Sequence, residues 1–177
     1  MIFKNASLIW NSFNYTENEY NEFVKNLDWN NEKAILRLSV SGDYTLFING
    51  RYAGSNQYGD FPHYKVYDEI DITEFLNNSK NRICILAWYS GKSGMRYNTP
   101  VPGIIFEIEL DGEVVFSSGT DTLSRKSRTY RSGDIKKISP QLGYSFTYDA
   151  TSEKDTAGFS ESVIIAEKSK FFKRPRS

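Results

Sequence analysis

The feature that most constrains the fold of this chain is a turn pair, Asn49-Gly50, set between two runs of alternating apolar and polar residues. Both residues adopt positive φ angles readily, as a tight two-residue hairpin turn requires. On the N-terminal side, Tyr44, Leu46 and Ile48 fall on one face of an extended chain, which is the period of a half-buried strand. The sequence therefore predicts a β-hairpin centred on this pair.

A run of the same kind precedes the hairpin. Ala34, Leu36, Leu38 and Val40 share one face, and period two again indicates a strand. The short stretch Ser41-Gly42-Asp43 joins this run to the hairpin. We interpret the region as a meander of three consecutive strands.

Further strands are predicted downstream. Arg82 to Trp88 carries apolar residues on both faces, which indicates a central strand covered on both sides. Asp111-Gly112, between Ile104–Leu110 and Glu113–Phe116, is a second strong two-residue hairpin signal.

The evidence for helices is thin. Residues 71–76 predict a single turn that opens with a capping pattern. Over residues 16–27 the local pattern favours a helix, because Thr16 and Glu19 form a capping box and the apolar residues that follow have helical spacing. We predict a strand here, since pairing in a sheet-dominated chain often overrides local propensity.

Many short strands separated by turn signals predict an all-β fold, an antiparallel β-sandwich of jelly-roll type. A chain of 177 residues is long enough for one well-filled core. We assign residues 1–167 to this sandwich. Residues 168–177 carry five basic and no acidic side chains, and we interpret them as a basic tail or a linker to a following domain.

Composition argues against several classes of function. Lys and Arg together number 22, as do Asp and Glu, so the net charge favours neither nucleic acid nor an anionic membrane. The single Cys84 lies in an apolar run, which indicates a buried structural thiol. The N-terminus lacks the apolar core of a signal peptide, and no stretch is long enough to span a bilayer, so we expect a cytoplasmic location.

Several short sequence motifs occur in the same order as in the N-terminal β-sandwich module of the α-L-rhamnosidases, which this chain resembles. The motifs are Ala6 to Trp10, Ala34 to Gly54, Gly54 to Tyr67, Ala87 to Gly91, Gly143-Tyr144 and Tyr148-Asp149-Ala150. In the last motif Thr151 stands where the family pattern has Arg, which puts any role of that Arg in doubt. Sugar-binding domains of β-galactosidase-like enzymes share a similar hairpin and are the nearest alternative.

The resemblance implies a galactose-binding-like sandwich that is an accessory module of a glycoside hydrolase. The catalytic carboxylates would then lie in other domains of the same polypeptide, and the parent enzyme would remove terminal rhamnose from glycosides. Nothing in the sequence singles out a catalytic pair of carboxylates here, and we assign no catalytic residue. Within such an enzyme, two roles remain open: structural support of the catalytic domains and carbohydrate binding. The alternative outside an enzyme is a free-standing module that binds carbohydrate or another protein.

A sugar site needs a stacking aromatic ring and a few fixed polar groups. Three sets of residues meet this description: Tyr148, Asp149 and Glu153; the loop residues Asn56, Gln57, Asp60 and His63; and Trp88 with Tyr89. A rhamnose-containing or other carbohydrate is the expected ligand. No cofactor is expected, although oxygen ligands in a loop could hold Ca²⁺.

Overall fold

The computed structural model describes residues 2–57, 63–93, 101–139, 141, 143–153, 155–166 and 169–175. Within these ranges the helical content is two single 3₁₀ turns, Thr73–Phe75 and Ala150–Ser152. The strands are β1 (Ile9–Trp10), β2 (Glu19–Trp29), β3 (Ala34–Val40), β4 (Asp43–Ile48), β5 (Arg51–Gln57), β6 (Tyr64–Asp71), β7 (Ser79–Tyr89), β8 (Ile104–Leu110), β9 (Glu113–Ser117), β10 (Leu123–Lys126), β11 (Lys137–Ser139), β12 (Gly143–Tyr144), β13 (Ser160–Glu161), β14 (Val163–Ile164) and β15 (Lys170–Lys173).

The described strands form two large sheets and one small hairpin. The seven-stranded sheet has the order β14-β1-β8-β3-β6-β15, with β9 also paired to β8. The six-stranded sheet has the order β13-β10-β2-β7-β4-β5, and β11 pairs with β12. All of these pairings are antiparallel except that of β15 with β6.

One core joins the two large sheets. Leu36, Leu38 and Phe106 of the seven-stranded sheet and Phe23 and Ile85 of the six-stranded sheet are almost completely buried in a single cluster. Successive residues of each strand face opposite sides, so the neighbours of these core residues face away from the core. The predicted antiparallel β-sandwich is confirmed.

Both predicted hairpins are present. Asn49 and Gly50 have φ angles of 53° and 77°, and Asp111 and Gly112 have 47° and 92°. Positive φ at both central residues suits the right-handed twist of the paired strands. The prediction that β7 is a central strand is also confirmed, since β7 lies between β2 and β4.

The predicted three-stranded meander is wrong at its first connection. β3 pairs with β6 and β8, whereas β4 pairs with β5 and β7, so the chain crosses from one sheet to the other at Ser41-Gly42. Gly42 has a φ of 155°, and a Cβ atom there would lie 2.0 Å from the backbone oxygen of Trp88. This corner requires glycine, and alternation alone does not reveal which sheet a strand joins.

The capping-box residues form their local hydrogen bonds without a helix. The Glu19 carboxylate accepts hydrogen bonds from the Thr16 backbone N–H at 2.9 Å and from the Thr16 hydroxyl at 3.2 Å. The chain then enters β2, which pairs with β7 over its full length. The predicted strand is confirmed, because eleven cross-strand positions outweigh one capping interaction.

The last described residues are part of the sandwich. β15 extends the seven-stranded sheet beyond residue 167, and its Lys173 forms an ion pair with Glu69 at 2.8 Å. Arg174 reaches Asp68 at 2.8 Å. These residues therefore pack as an edge strand, while the proposed linker to a following domain stays a prediction.

In the described part of the chain, no helix has the length and apolar character needed to cross a membrane.

Candidate functional site

A long connection folds back over the outer face of the six-stranded sheet. We call the described residues of this connection, 127–139, 141, 143–153 and 155–159, the cover segment. It follows β10 directly, and hydrogen bonds tie its first residues to β2: the Ser127 N–H donates to the Tyr20 carbonyl at 2.8 Å, and the Tyr20 N–H donates to the Ser132 hydroxyl at 2.8 Å. Outward side chains of the sheet thus lie beneath a second layer of protein.

An arginine on β10 anchors this layer. The Arg125 guanidinium lies opposite Glu22 in the register of β10 and β2, and its Nε donates to Glu22 Oε2 at 2.9 Å. It also donates to the carbonyl oxygens of Ala157 at 2.7 Å and Asp155 at 2.8 Å. The Phe159 ring lies 4.4 Å from the guanidinium carbon. One buried side chain therefore holds the end of the cover segment onto the sheet.

Aromatic rings form a continuous row across this face. Tyr20 on β2 lies 6.3 Å from Trp88 on β7 and 5.2 Å from Tyr130, with which it stacks. Tyr130 contacts Tyr148 edge to face at 5.0 Å. Because these rings come from both the sheet and the cover segment, the fold assembles a surface that no single stretch of sequence contains.

A pocket of about 420 Å³ opens between the cover segment and the sheet. This volume falls in the lower part of the range typical of small-molecule sites. Its lining residues are Glu22, Phe47, Gly50, Arg82, Cys84, Leu86, Arg125, Thr129, Tyr130, Tyr148, Glu153, Asp155 and Thr156. Apolar side chains of the sheet line it together with the buried charged pair Glu22 and Arg125, and the exposed Glu153 lies at its rim.

Tyr148 and Glu153, two of the predicted site residues, lie together at this pocket. The Tyr148 hydroxyl donates to Glu153 Oε1, and this hydrogen bond to the carboxylate raises the pKa of Tyr148 to about 12. The Tyr148 side chain remains 43% exposed. Its hydroxyl is therefore protonated at neutral pH, and part of its ring is open to a ligand.

The third member of that set, Asp149, has a local structural role. Its carboxylate accepts from the Thr151 N–H at 2.9 Å, the Thr151 hydroxyl at 2.6 Å and the Ser152 hydroxyl at 3.2 Å. These hydrogen bonds, led by that of the Thr151 hydroxyl, lower the pKa of Asp149. The residue caps the turn Ala150–Ser152, and it does not line the pocket that Tyr148 lines.

The remaining aromatic candidates point in opposite directions. Trp88 belongs to the outer aromatic row, and its indole N–H donates to Asn18 Oδ1 at 2.8 Å. Tyr89, the next residue on β7, is 3% exposed and packs against Trp10 and Tyr15 in the interior. Successive residues of a strand face opposite sides, so the Tyr89 ring is not available to a sugar at the surface.

The candidates predicted as loop residues begin within β5, and the described side chains of Asn56 and His63 do not line this pocket. Asn56 donates to Asp68 Oδ2 at 2.9 Å, at a separate pocket that Arg174 also lines. His63 is exposed, with its ring 5.0 Å from that of Tyr64. Gln57 is the last residue of β5, and Asp60 lies outside the described residues.

Sequence reasoning missed Tyr130, Arg82 and Arg125. The alternation of β7 places Arg82 on the same face as Trp88, so its position was readable from the pattern. Tyr130 and Arg125 carry no such signal, because their partners Tyr20 and Glu22 lie about a hundred residues away in sequence.

Cys84, predicted to be a buried structural thiol, lines this pocket and is partly rather than fully buried. Burial, followed by the nearby Glu22 carboxylate, raises the pKa of the Cys84 thiol to about 12, so the thiol is neutral and unreactive at physiological pH. Within the described ranges, no group of three or more His, Cys, Asp or Glu side chains is arranged to hold a metal ion. Binding of Ca²⁺ by oxygen ligands in a loop stays a prediction.

Solved structures with this fold include several rhamnosidases. A family 78 glycoside hydrolase rhamnosidase from Bacillus sp. GL1 superposes with a TM-score of 0.84 over 97% of this chain at 24% identity. The α-L-rhamnosidase of Dictyoglomus thermophilum superposes with a TM-score of 0.69 over 96% of this chain at 15% identity. This chain shares its fold with part of the α-L-rhamnosidases. It spans only 20% and 22% of those two proteins, and the predicted resemblance is confirmed at the level of the fold.

A lectin from Pleurotus ostreatus has a related fold. It superposes with a TM-score of 0.56 at 19% identity, over 92% of this chain and 42% of the lectin. No protein-family model matches the sequence, and no curated protein sequence matches it either.

Proposed function

We propose that this chain is a non-catalytic accessory module of an α-L-rhamnosidase-like glycoside hydrolase. Its partners would be the catalytic domains of the same polypeptide, and the parent enzyme would remove terminal rhamnose from glycosides. The observation that carries the proposal is the asymmetric coverage, since 97% of this chain superposes on 20% of the Bacillus rhamnosidase. A unit that forms a fifth of an enzyme and has its own core is most simply an accessory domain.

The charge distribution is in keeping with this role. Two of the five bases near the end of the chain, Lys173 and Arg174, pair with Glu69 and Asp68 of β6. Bases that are neutralised within the sandwich contribute little to binding nucleic acid or an anionic membrane. The absence of such partners, and the cytoplasmic location, stay predictions.

Carbohydrate binding without an attached enzyme is the second candidate. The fold likeness to a lectin and the pocket beside Tyr148 favour it. A sugar-binding domain of a β-galactosidase-like enzyme is a third alternative.

The proposal is tested first by sequencing the native gene past codon 177. We expect an open reading frame that continues into a much longer protein containing a helical-barrel domain. A native stop after Ser177 would contradict the accessory role and leave a free-standing binding module as the function.

Catalysis by the module itself is tested separately. The purified chain is incubated with 4-nitrophenyl α-L-rhamnopyranoside, and we expect no release of nitrophenol above the rate in buffer. Turnover that purifies with the chain would show that the module is an enzyme.

A further inference from the structure

The pocket between the cover segment and the six-stranded sheet combines two kinds of surface. Phe47, Leu86 and Cys84 of the sheet give it apolar lining beside the neutralised pair of Glu22 and Arg125. Tyr130 and Tyr148 add aromatic rings. A pyranose ring has a matching shape, because its C–H bonds make an apolar face and its hydroxyls lie around the edge. Partly exposed aromatic rings bury such a face well.

The polar rim offers both a donor and an acceptor. Glu153 accepts the Tyr148 hydroxyl through Oε1, and its carboxylate has further lone pairs. Arg82 carries N–H donors, and its guanidinium carbon lies 5.2 Å from the centre of the Phe159 ring. Sugar hydroxyls are both donors and acceptors, so a rim of this composition can satisfy neighbouring hydroxyls of one ring.

The charges at the pocket favour a neutral ligand. Glu22 is paired with Arg125 at 2.8 Å, and Asp155 is paired with Arg128. What remains at the rim is one carboxylate, Glu153, and one guanidinium, Arg82. An anion would be repelled by Glu153 and a cation by Arg82, whereas a neutral polyol would meet no like charge.

We infer that this pocket binds the neutral pyranose ring of a glycan, with Tyr148 as the stacking residue and Glu153 and Arg82 as hydroxyl partners. The inference adds a ligand class to the proposed accessory role. It rests on that role only for the choice of a carbohydrate as the ligand. The module would then hold the enzyme's glycan substrate near the catalytic domains.

The test is a titration of the full chain with methyl α-L-rhamnopyranoside, followed by ¹H–¹⁵N correlation spectra. Methyl β-D-galactopyranoside and N-acetylgalactosamine serve as additional probes. We expect saturable shifts that cluster at backbone amides around Arg82, Leu86 and Tyr130. Saturation by any of the three sugars, with the shifts at these amides, supports the pocket as a pyranose site, and the most effective probe reports its preference.

Variants locate the site and separate stacking from hydrogen bonding. Tyr148→Ala should weaken binding by at least about tenfold, while Tyr148→Phe, which keeps the ring, should stay within about threefold of the parent. Glu153→Gln should weaken binding by an intermediate factor. Phe13→Ala is the matched control, because Phe13 is 67% exposed and does not line the pocket. Thermal unfolding of each variant confirms that it is folded.

Two results would overturn the inference. One is the absence of saturable shifts with every probe. The other is saturable binding whose shifts map elsewhere or persist in Tyr148→Ala. Either leaves the accessory role standing, since that role is tested by the length of the gene and by turnover, not by sugar binding.

Discussion

The buried ion pair between Arg125 and Glu22 gives the sharpest test of how the cover segment is held. The two side chains are 6% and 11% exposed, and the pair joins β10 to β2 beneath the segment. Replacement of Arg125 by Met keeps most of the volume but removes every donor. Among the described residues, Glu22 would keep only the Ser127 hydroxyl, which donates to its Oε1 at 2.8 Å.

An unpaired buried carboxylate is costly. Breaking a buried pair by removing one partner typically costs about 3–5 kcal/mol, and the carbonyl groups of Ala157 and Asp155 would lose their donors as well. We therefore expect Arg125→Met to lower the free energy of unfolding by about 3–5 kcal/mol. The cover segment should also become more sensitive to proteolysis than the strands beneath it.

Urea unfolding followed by tryptophan fluorescence measures this loss. The double variant Arg125→Met/Glu22→Leu is the informative companion, since it removes the unpaired charge and should recover a large part of the stability. A loss below about 1 kcal/mol in the single variant, the value of an exposed pair, would refute the reasoning. So would a double variant that is less stable than the single one.

Three further predictions follow from particular contacts. Gly42→Ala should lower the free energy of unfolding by at least about 2 kcal/mol, measured by calorimetry, because the new Cβ atom would clash with the Trp88 carbonyl. Gly112→Ala is the control. No atom lies within 4 Å of its new Cβ, so it should cost only the ~1–2 kcal/mol of placing alanine in a left-handed conformation. Glu19 accepts hydrogen bonds whose effect on its pKa outweighs that of desolvation, so its pKa is lowered; the donors are Asn21, Lys126, Thr16 and Trp10. The stability that the ionised Glu19 contributes is therefore complete above pH 4.5, its ordinary pKa. It is lost as the pH falls through the lower pKa of the folded state. Acid unfolding of Glu19→Gln should accordingly show a weaker dependence on pH in that window. Asp149→Ala should lower the thermal midpoint of unfolding slightly by removing a cap but, unlike Tyr148→Ala, should leave sugar binding within about twofold of the parent.

Local signals in the sequence were sufficient where the structure depends on neighbouring residues. The hairpins at Asn49-Gly50 and Asp111-Gly112 form because both residues of each pair accept positive φ angles. The two-sided apolar pattern of β7 indicated a covered central strand, which the structure confirms. The order of several short sequence motifs along the chain was enough to suggest the rhamnosidase-like sandwich.

Other features depended on which segments meet. The alternation of β3 and β4 is the same whether they pair with each other or, as here, belong to different sheets. The candidate site likewise depends on the return of the cover segment, which places Tyr148 beside the outward face of β7.

The sequence by itself thus determined the two hairpin turns, the strands with clear alternation and the class of fold, because period-two patterning and turn chemistry act over a few residues. Only the tertiary structure decided the pairing of Arg125 with Glu22, 103 residues apart, and the burial of Tyr89 beside an outward-facing Trp88. The physical reason is that contacts between distant segments depend on packing in three dimensions, which no local pattern of residues specifies.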